Sequence, residues 1–381
     1  MPKIKRSKTD SLIEKIGVKY FYHLSKKIKS EKIIKLKDIP PDSVLQVVAQ
    51  NITLNTVIIA FLVGALTTVP AVIFELYFKE SYTSSYYYIL LALITLVLLI
   101  VEVGTLYWLG LKSVHTLALL TGYEGEADSY LPLEYDIKKM MVRSALELED
   151  PVVEYLGIDP LKNVSKKWLV LKALLYKAKI ALTSIIIRFA FRKIALRYGV
   201  RTGFVWVAIP VTAIWDAIVM YRVIQDAKLR LFGYHLSQYI ADRVITDKLL
   251  ETYSPSVKEG AIRAISTIMV RSKSYHPNNI ILLIRLNRNL EVKEENSYDD
   301  LELFLEYLER ASLSERHLLK TLSAISAVFD GKLNKEEKIA LEQIFGDEHE
   351  QYMLFTEELK TLLLHGAIHE SAMICEDIIK K

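Results

Sequence analysis

Two stretches of this chain of 381 residues carry no charge: ITLNTVIIAFLVGALTTVPAVIF, Ile52 to Phe74, and SYTSSYYYILLALITLVLLIV, Ser81 to Val101. Each supplies the ~20 apolar residues with which a helix crosses a bilayer. Only ELYFKE separates them. They read as a transmembrane helical hairpin over 51–111, with antiparallel neighbours and a short turn. Two such runs so close together are hard to place in a soluble core. The mean hydropathy of +0.22 agrees that part of the chain lies in lipid. Gly (14) and Pro (10) are scarce, and long periodic apolar stretches dominate, so the expected class is all-α.

Charge orients the hairpin. Residues 1–50 hold twelve Lys/Arg against five Asp/Glu, whereas the turn offers only Lys79. The basic flank, read as N-terminal helices, belongs in the cytoplasm. With two spans, everything after Leu111 is cytoplasmic too, and both termini share that side. The single cysteine, Cys375, fits a reducing compartment. The N-terminus is too basic over too long a stretch for a cleavable signal peptide. Two glycosylation patterns, at Asn51 and Asn163, are discounted because they fall on the cytoplasmic side. Tyr82 and Tyr86–Tyr88 are expected to form one aromatic belt, and Tyr107 with Trp108 the other.

Polar residues interrupt the hairpin. Pro70 is expected to kink the first helix. Glu75 is near enough to the turn to reach headgroups. Glu102 lies deeper, and an intramembrane carboxylate is by default a functional suspect. The plainer alternative has Glu102 protonated, or bonded across the pair to the small residues near Gly64 and Ala65.

Residues 112–160 read as a connector with one helix over 133–149. From Leu161 to Trp215 there are eleven Lys/Arg and no acid. The longest uncharged runs there, Ile180–Ile187 and Thr202–Trp215, are shorter than a span. A basic amphipathic helical hairpin over 161–233 is expected, buried in protein or half in the interface. Lys177, Lys179, Arg188, Arg192, Lys193, Arg197 and Arg201 would then snorkel to lipid headgroups. A second transmembrane pair is the alternative. Asp216, the one acid, needs a partner, with Arg222 and Arg188 as candidates. Gly199, Gly203, AIPV and YRVIQDAK resemble the closing part of EcsC-like proteins. That resemblance implies a membrane-associated hairpin and supplies no catalytic residue.

From about 234 the apolar spacing becomes that of soluble helices, and a bundle of about seven is expected to 381. Ser312 with Glu315, and Asn334 with Glu337, fit capping boxes. The stretch FDGKLNKEE invites a metal reading. As an EF-hand it fails, because Lys332, Lys335 and Leu341 stand where oxygen ligands and Gly are required. Asp330 and Gly331 instead close one helix, Leu333 tucks into the core, and Asn334 caps the next. VFDGKLNKEE after LLKTLSAISA resembles the TerB-like tellurite-resistance helical family. The resemblance implies an interaction module and, in some members, a divalent cation held at this turn. Asp330, Glu336 and Glu337 are the matching positions here. His365 and His369 have a spacing that zinc can use, but Gly366 follows where a zinc-protease helix has Glu, so a plain histidine pair is expected.

No nucleophile, base and orienter are visible together, so an enzyme is not expected. The expected function is that of a membrane-anchored, cytoplasm-facing helical scaffold in an envelope or stress process. Its partners would be anionic lipid headgroups and a protein that the residues do not identify. Nucleic acid is set aside, because no recognition motif is present and the basic residues are interleaved with aliphatic ones. Two alternatives stand. One is a homo-oligomeric transporter or channel component using Glu102 and Asp216. The other is a divalent-cation switch at the TerB-like turn. No other cofactor is called for.

Overall fold

The computed structural model describes residues 3–5, 12–25, 39–78, 84–121, 131–159, 203–273, 276–292 and 298–380. The described residues are all-α apart from one short pairing, in which β1 (Lys3–Lys5) runs antiparallel to β2 (Val152–Glu154). It divides into two compact units. One comprises Asn51–Ser113 and Val164–Ile224; the other comprises Met1–Gln50, Val114–Asn163 and Gln225–Lys381.

The first unit is built on three helices long and apolar enough to cross a membrane. These are α2 (Asp42–Tyr77), α3 (Ser84–Leu119) and α5 (Gly203–Tyr239), the labels counting only the described helices. The 36 residues of α2 and of α3 amount to about 54 Å at ~1.5 Å per residue, well beyond the ~30 Å of hydrocarbon. Here the expectation that the run after Thr202 is too short to cross gives way. Single charges end an uncharged run without ending a helix, and α5 continues for 37 residues through Pro210. The residues before it, with Lys177, Lys179, Arg188, Arg192, Lys193, Arg197 and Arg201, lie outside the described residues.

The packing of α2 is inverted relative to a soluble helix. Between Ala49 and Thr68 its buried positions are Ala49, Thr53, Thr56, Ala60, Gly64, Thr67 and Thr68, mostly spaced by three and four, while the ends of the helix bury Leu45, Val72 and Phe74. Its exposed positions are Leu54, Ile58, Ile59, Phe61, Leu62 and Leu66. On α3 Ile89, Leu93, Leu96, Val97 and Ile100 also face outward, although its buried side includes Leu91, Leu99 and Leu109. Leaving about ten aliphatic side chains in water forgoes on the order of 20 kcal/mol, more than the ~5–15 kcal/mol stability of a whole domain. Lipid removes that penalty, and small inward residues are what helices packed in lipid use. Ile58 and Leu93, 48% and 57% exposed, belong to this outward face.

In the second unit α1 (Leu12–Ser25) packs on α4 (Ile137–Ala145), with Glu14 and Arg143 paired at 2.8 Å. The connector helix is shorter than expected: a 3-10 turn over Leu133–Tyr135 precedes it and Asp136 caps it. The bundle follows as α6 (Asp247–Glu251), α7 (Pro255–Ser272), α8 (Pro277–Leu290), α9 (Leu301–Arg310), α10 (Leu313–Val328), α11 (Lys335–Phe345), α12 (His349–His365) and α13 (Ile368–Ile379). Helix α10 is its centre, buried on every side from Leu318 to Val328 except at Lys320, and touches α7, α11, α12 and α13. A helix apolar all round must be enclosed. Both expected capping boxes are present, at Ser312/Glu315 and Asn334/Glu337.

One clasp joins the two ends of this unit. The Asp42 carboxylate, in the first turn of α2, accepts from the backbone N–H of His369 at 3.1 Å and of Glu370 at 2.9 Å. It also meets His369 Nδ1 at 2.8 Å. The N–H groups at the start of α13 are thus satisfied by a residue more than three hundred positions away. Gly366 makes the approach: its φ of +87° suits glycine, and a Cβ there would press on Phe232 at 3.1 Å.

Candidate functional site

Within the membrane unit, both acids singled out from the sequence reach the same stretch of α2. Glu102, 1% exposed, comes from α3 and accepts from Thr67 Oγ1 at 3.0 Å. Asp216, 3% exposed, comes from α5 and faces Gly64. A Cβ on Gly64 would stand 2.6 Å from Asp216 Oδ2, 2.9 Å from Ala213 Cα and 3.0 Å from Thr212 O. Backbone therefore meets backbone, and only glycine permits it. The expected bond from Glu102 across the hairpin is present, but to a threonine one turn beyond Gly64. Of the expected partners for Asp216, Arg222 is exposed and Arg188 lies outside the described residues.

The residues that sequence reasoning passed over are the threonines. Thr56 Oγ1 donates to Ser113 Oγ at 2.7 Å, joining α2 and α3 a second time. In lipid such hydrogen bonds hold helices together, at about 0.6–2 kcal/mol each. The signal lay in the spacing of Thr53, Thr56, Gly64 and Thr67 along one face. Chemically, the arrangement offers hydroxyls and carboxyls to one another between apolar walls, where a carboxyl keeps a proton or finds a donor.

The aromatic belts need one correction. Tyr86 and Tyr88 are exposed, but Tyr87 turns inward and stacks on Phe74 at 5.8 Å beside Leu91. Three consecutive helical residues cannot all face outward. At the other end Trp108 is exposed, with the Lys112 ammonium 5.1 Å over its ring, and Tyr107 is half-buried. Tyr82 lies outside the described residues.

In the second unit the turn 330–337 is built as a helix junction. Gly331 has φ +71°, Asp330 Oδ1 accepts from the Lys332 N–H, and Leu333 is half-buried rather than in the core. Of the three matching acids, Glu336 parts from the other two. Glu336 reaches Lys273 at 2.5 Å, while Glu337 turns back to accept from the Asn334 N–H at 2.8 Å. Among the described residues no group of three His, Cys, Asp or Glu is placed to hold a metal ion. Glu337 is 1% exposed, and its Oε1 has no hydrogen-bond partner. Burial first, and the Asp330 carboxyl second, push it up to about 8. Burial likewise raises Asp330 to about 6.

The histidine pair is not one. Gly366 ends α12, so His365 bonds back to Thr361 O while His369 begins α13 and pairs with Asp42. Cys375 is fully buried, and burial pushes its thiol up, as a packed apolar group requires. Comparison with protein-family models, curated proteins and solved structures finds no match to this chain.

Proposed function

We propose that this protein is a membrane-anchored helical scaffold, with its N-terminus in the cytoplasm and the bundle over 234–381 serving as its interaction module; the bundle shares that side where α5 is one member of the second transmembrane pair weighed from the sequence, because crossings then come in twos. The observation that carries the reading is the inverted packing of α2 over Ala49–Thr68, small and polar inside, large and apolar outside. The bundle's charge supports the second half: from Tyr298 to Lys381 there are eighteen Asp/Glu against nine Lys/Arg. This acidic excess, confined to the C-terminal part of the bundle, disfavours headgroup contact there and steers basic protein partners. The TerB-like resemblance is what suggests an envelope or stress process, and the EcsC-like one suggests a membrane-associated role.

Carbonate extraction of cell membranes tests the anchor. The chain stays in the pellet; its release into the supernatant ends the proposal. Reporter fusions at Lys381 and at Arg201 test the sidedness, with a cytoplasmic signal expected at Lys381.

The convergence of Glu102 and Asp216 on Gly64–Thr67 favours a second reading, a transport component in which these carboxyls handle a proton or cation. Ion flux through the reconstituted chain, compared with Glu102→Gln, separates the two. Flux that is absent, or indifferent to the substitution, leaves the carboxyls as helix-joining groups.

A further inference from the structure

Helix α1 buries one side and shows another. Glu14, Gly17 and Phe21 turn inward. Ile13 and Ile16 turn outward at 44% and 59% exposure, with Lys15 and Lys19 exposed on the neighbouring flank. At ~100° per residue Ile13 and Ile16 share one edge, and Lys15 and Lys19 the next. Tyr22 is exposed beside them, with Lys138 of α4 5.0 Å over its ring. The face is apolar along one edge and cationic along the other.

The inner side of α1 is held from within its own unit. The Phe21 ring meets His115 of α3 edge-on at 5.1 Å, and Ser25 Oγ lies 3.4 Å from His115 Nε2. His115 stands three residues past Lys112 on the same helix, about 4.5 Å of rise. Lys112, with Trp108 beneath it, has the pairing of an interfacial belt, a ring at headgroup level and an ammonium in water. Val44 and Val47, in the first turns of α2, are exposed as well.

We propose that α1 lies in the plane of the inner leaflet, with Ile13 and Ile16 among the upper acyl chains and Lys15 and Lys19 on anionic phosphates. Resting on the anchored reading, this adds a lipid preference to it: α1 is a sensor of anionic headgroups. Two features favour lipid over nucleic acid. The outward edge is aliphatic, where base stacking wants aromatic platforms, and the cations are at the right distance to snorkel from it.

The test uses the full chain in nanodiscs. Ile16→Cys is labelled with an environment-sensitive fluorophore; Cys375, the other thiol, is buried. A label at Glu342→Cys, on the bundle surface, is the control. In discs of roughly 40% phosphatidylglycerol the label at 16 is quenched by headgroup spin-labelled lipid about threefold more than the label at 342, and adding Lys15→Glu with Lys19→Glu removes most of that difference. Equal quenching at both positions overturns the proposal while leaving the anchor intact. A response to added RNA but not to anionic lipid overturns it in favour of nucleic acid. A chain that does not enter the discs overturns both the proposal and the anchor.

Discussion

Gly64 carries more constraint than any charged residue in the membrane unit. Any larger side chain drives into Asp216 and into the backbone of Ala213 and Thr212. Gly64→Leu is expected to lower the stability of the detergent-solubilised chain by about 1–3 kcal/mol, the usual magnitude of overpacking, read as a drop in Tm. An unchanged Tm would mean that the two helices do not touch there. Titration gives a second set of residue-scale outcomes. His276 is buried beside Arg230, and burial with that guanidinium lowers it to about 3. Its folded value is below its unfolded one, so its share of stability is present above pH ~6.5 and is lost on acidification towards 3. Glu315 runs the same way. Its carboxylate accepts from the Ser254 and Ser312 N–H groups, which outweigh desolvation and take it down to about 2. Glu337 runs opposite, since a raised folded value favours folding at low pH and loses that favour as pH rises towards about 8. Glu337→Gln keeps the capping box, because glutamine serves at that position. It is expected to raise Tm at pH 8.5 and leave it unchanged at pH 4.5; the reverse order would contradict the assignment.

Elements were legible in proportion to how local their signal is. The box at Ser312-Leu-Ser-Glu315 needs four residues, and both ends of it were readable. Glu102 announced itself by being charged in an uncharged surrounding. The break between His365 and His369 is also written locally, in Gly366, which argues against zinc from the sequence and in the structure ends α12 as well. Helix α5 was misjudged for a different reason. Counting uncharged residues treats Asp216 as an end, whereas the fold buries it against Gly64 and continues the helix. Which acids of the 330–337 turn separate was not legible, since Lys273, the partner of Glu336, is more than sixty residues away. Ser312→Ala is expected to cost about 1 kcal/mol, seen as faster hydrogen exchange at the start of α10. No change there would remove the box from the account.

At the scale of the molecule, the chain changes solvent along its own helices, and its composition changes with it. Over Ala49–Thr68 helix α2 turns threonine, alanine and glycine inward and leaves leucine and isoleucine outside; the bundle encloses its apolar residues, with α10 at its centre. A detergent that mimics lipid poorly should therefore disturb the two units unequally. Near-native hydrogen-exchange protection of α10 alongside lost protection of α2 is the expected pattern in harsh detergent, and uniform loss would argue for a single cooperative body.

The grip of Asp42 on the start of α13 has a consequence for biosynthesis. A ribosome delivers the first membrane helix early, yet the carboxylate at its foot finds its mates only when position 370 has emerged. Until then the foot of the anchor is unfastened. Chains stopped before Ala367 should thus still enter the bilayer while remaining open to protease around residue 42, a state that full-length chains leave only in their final moments of synthesis.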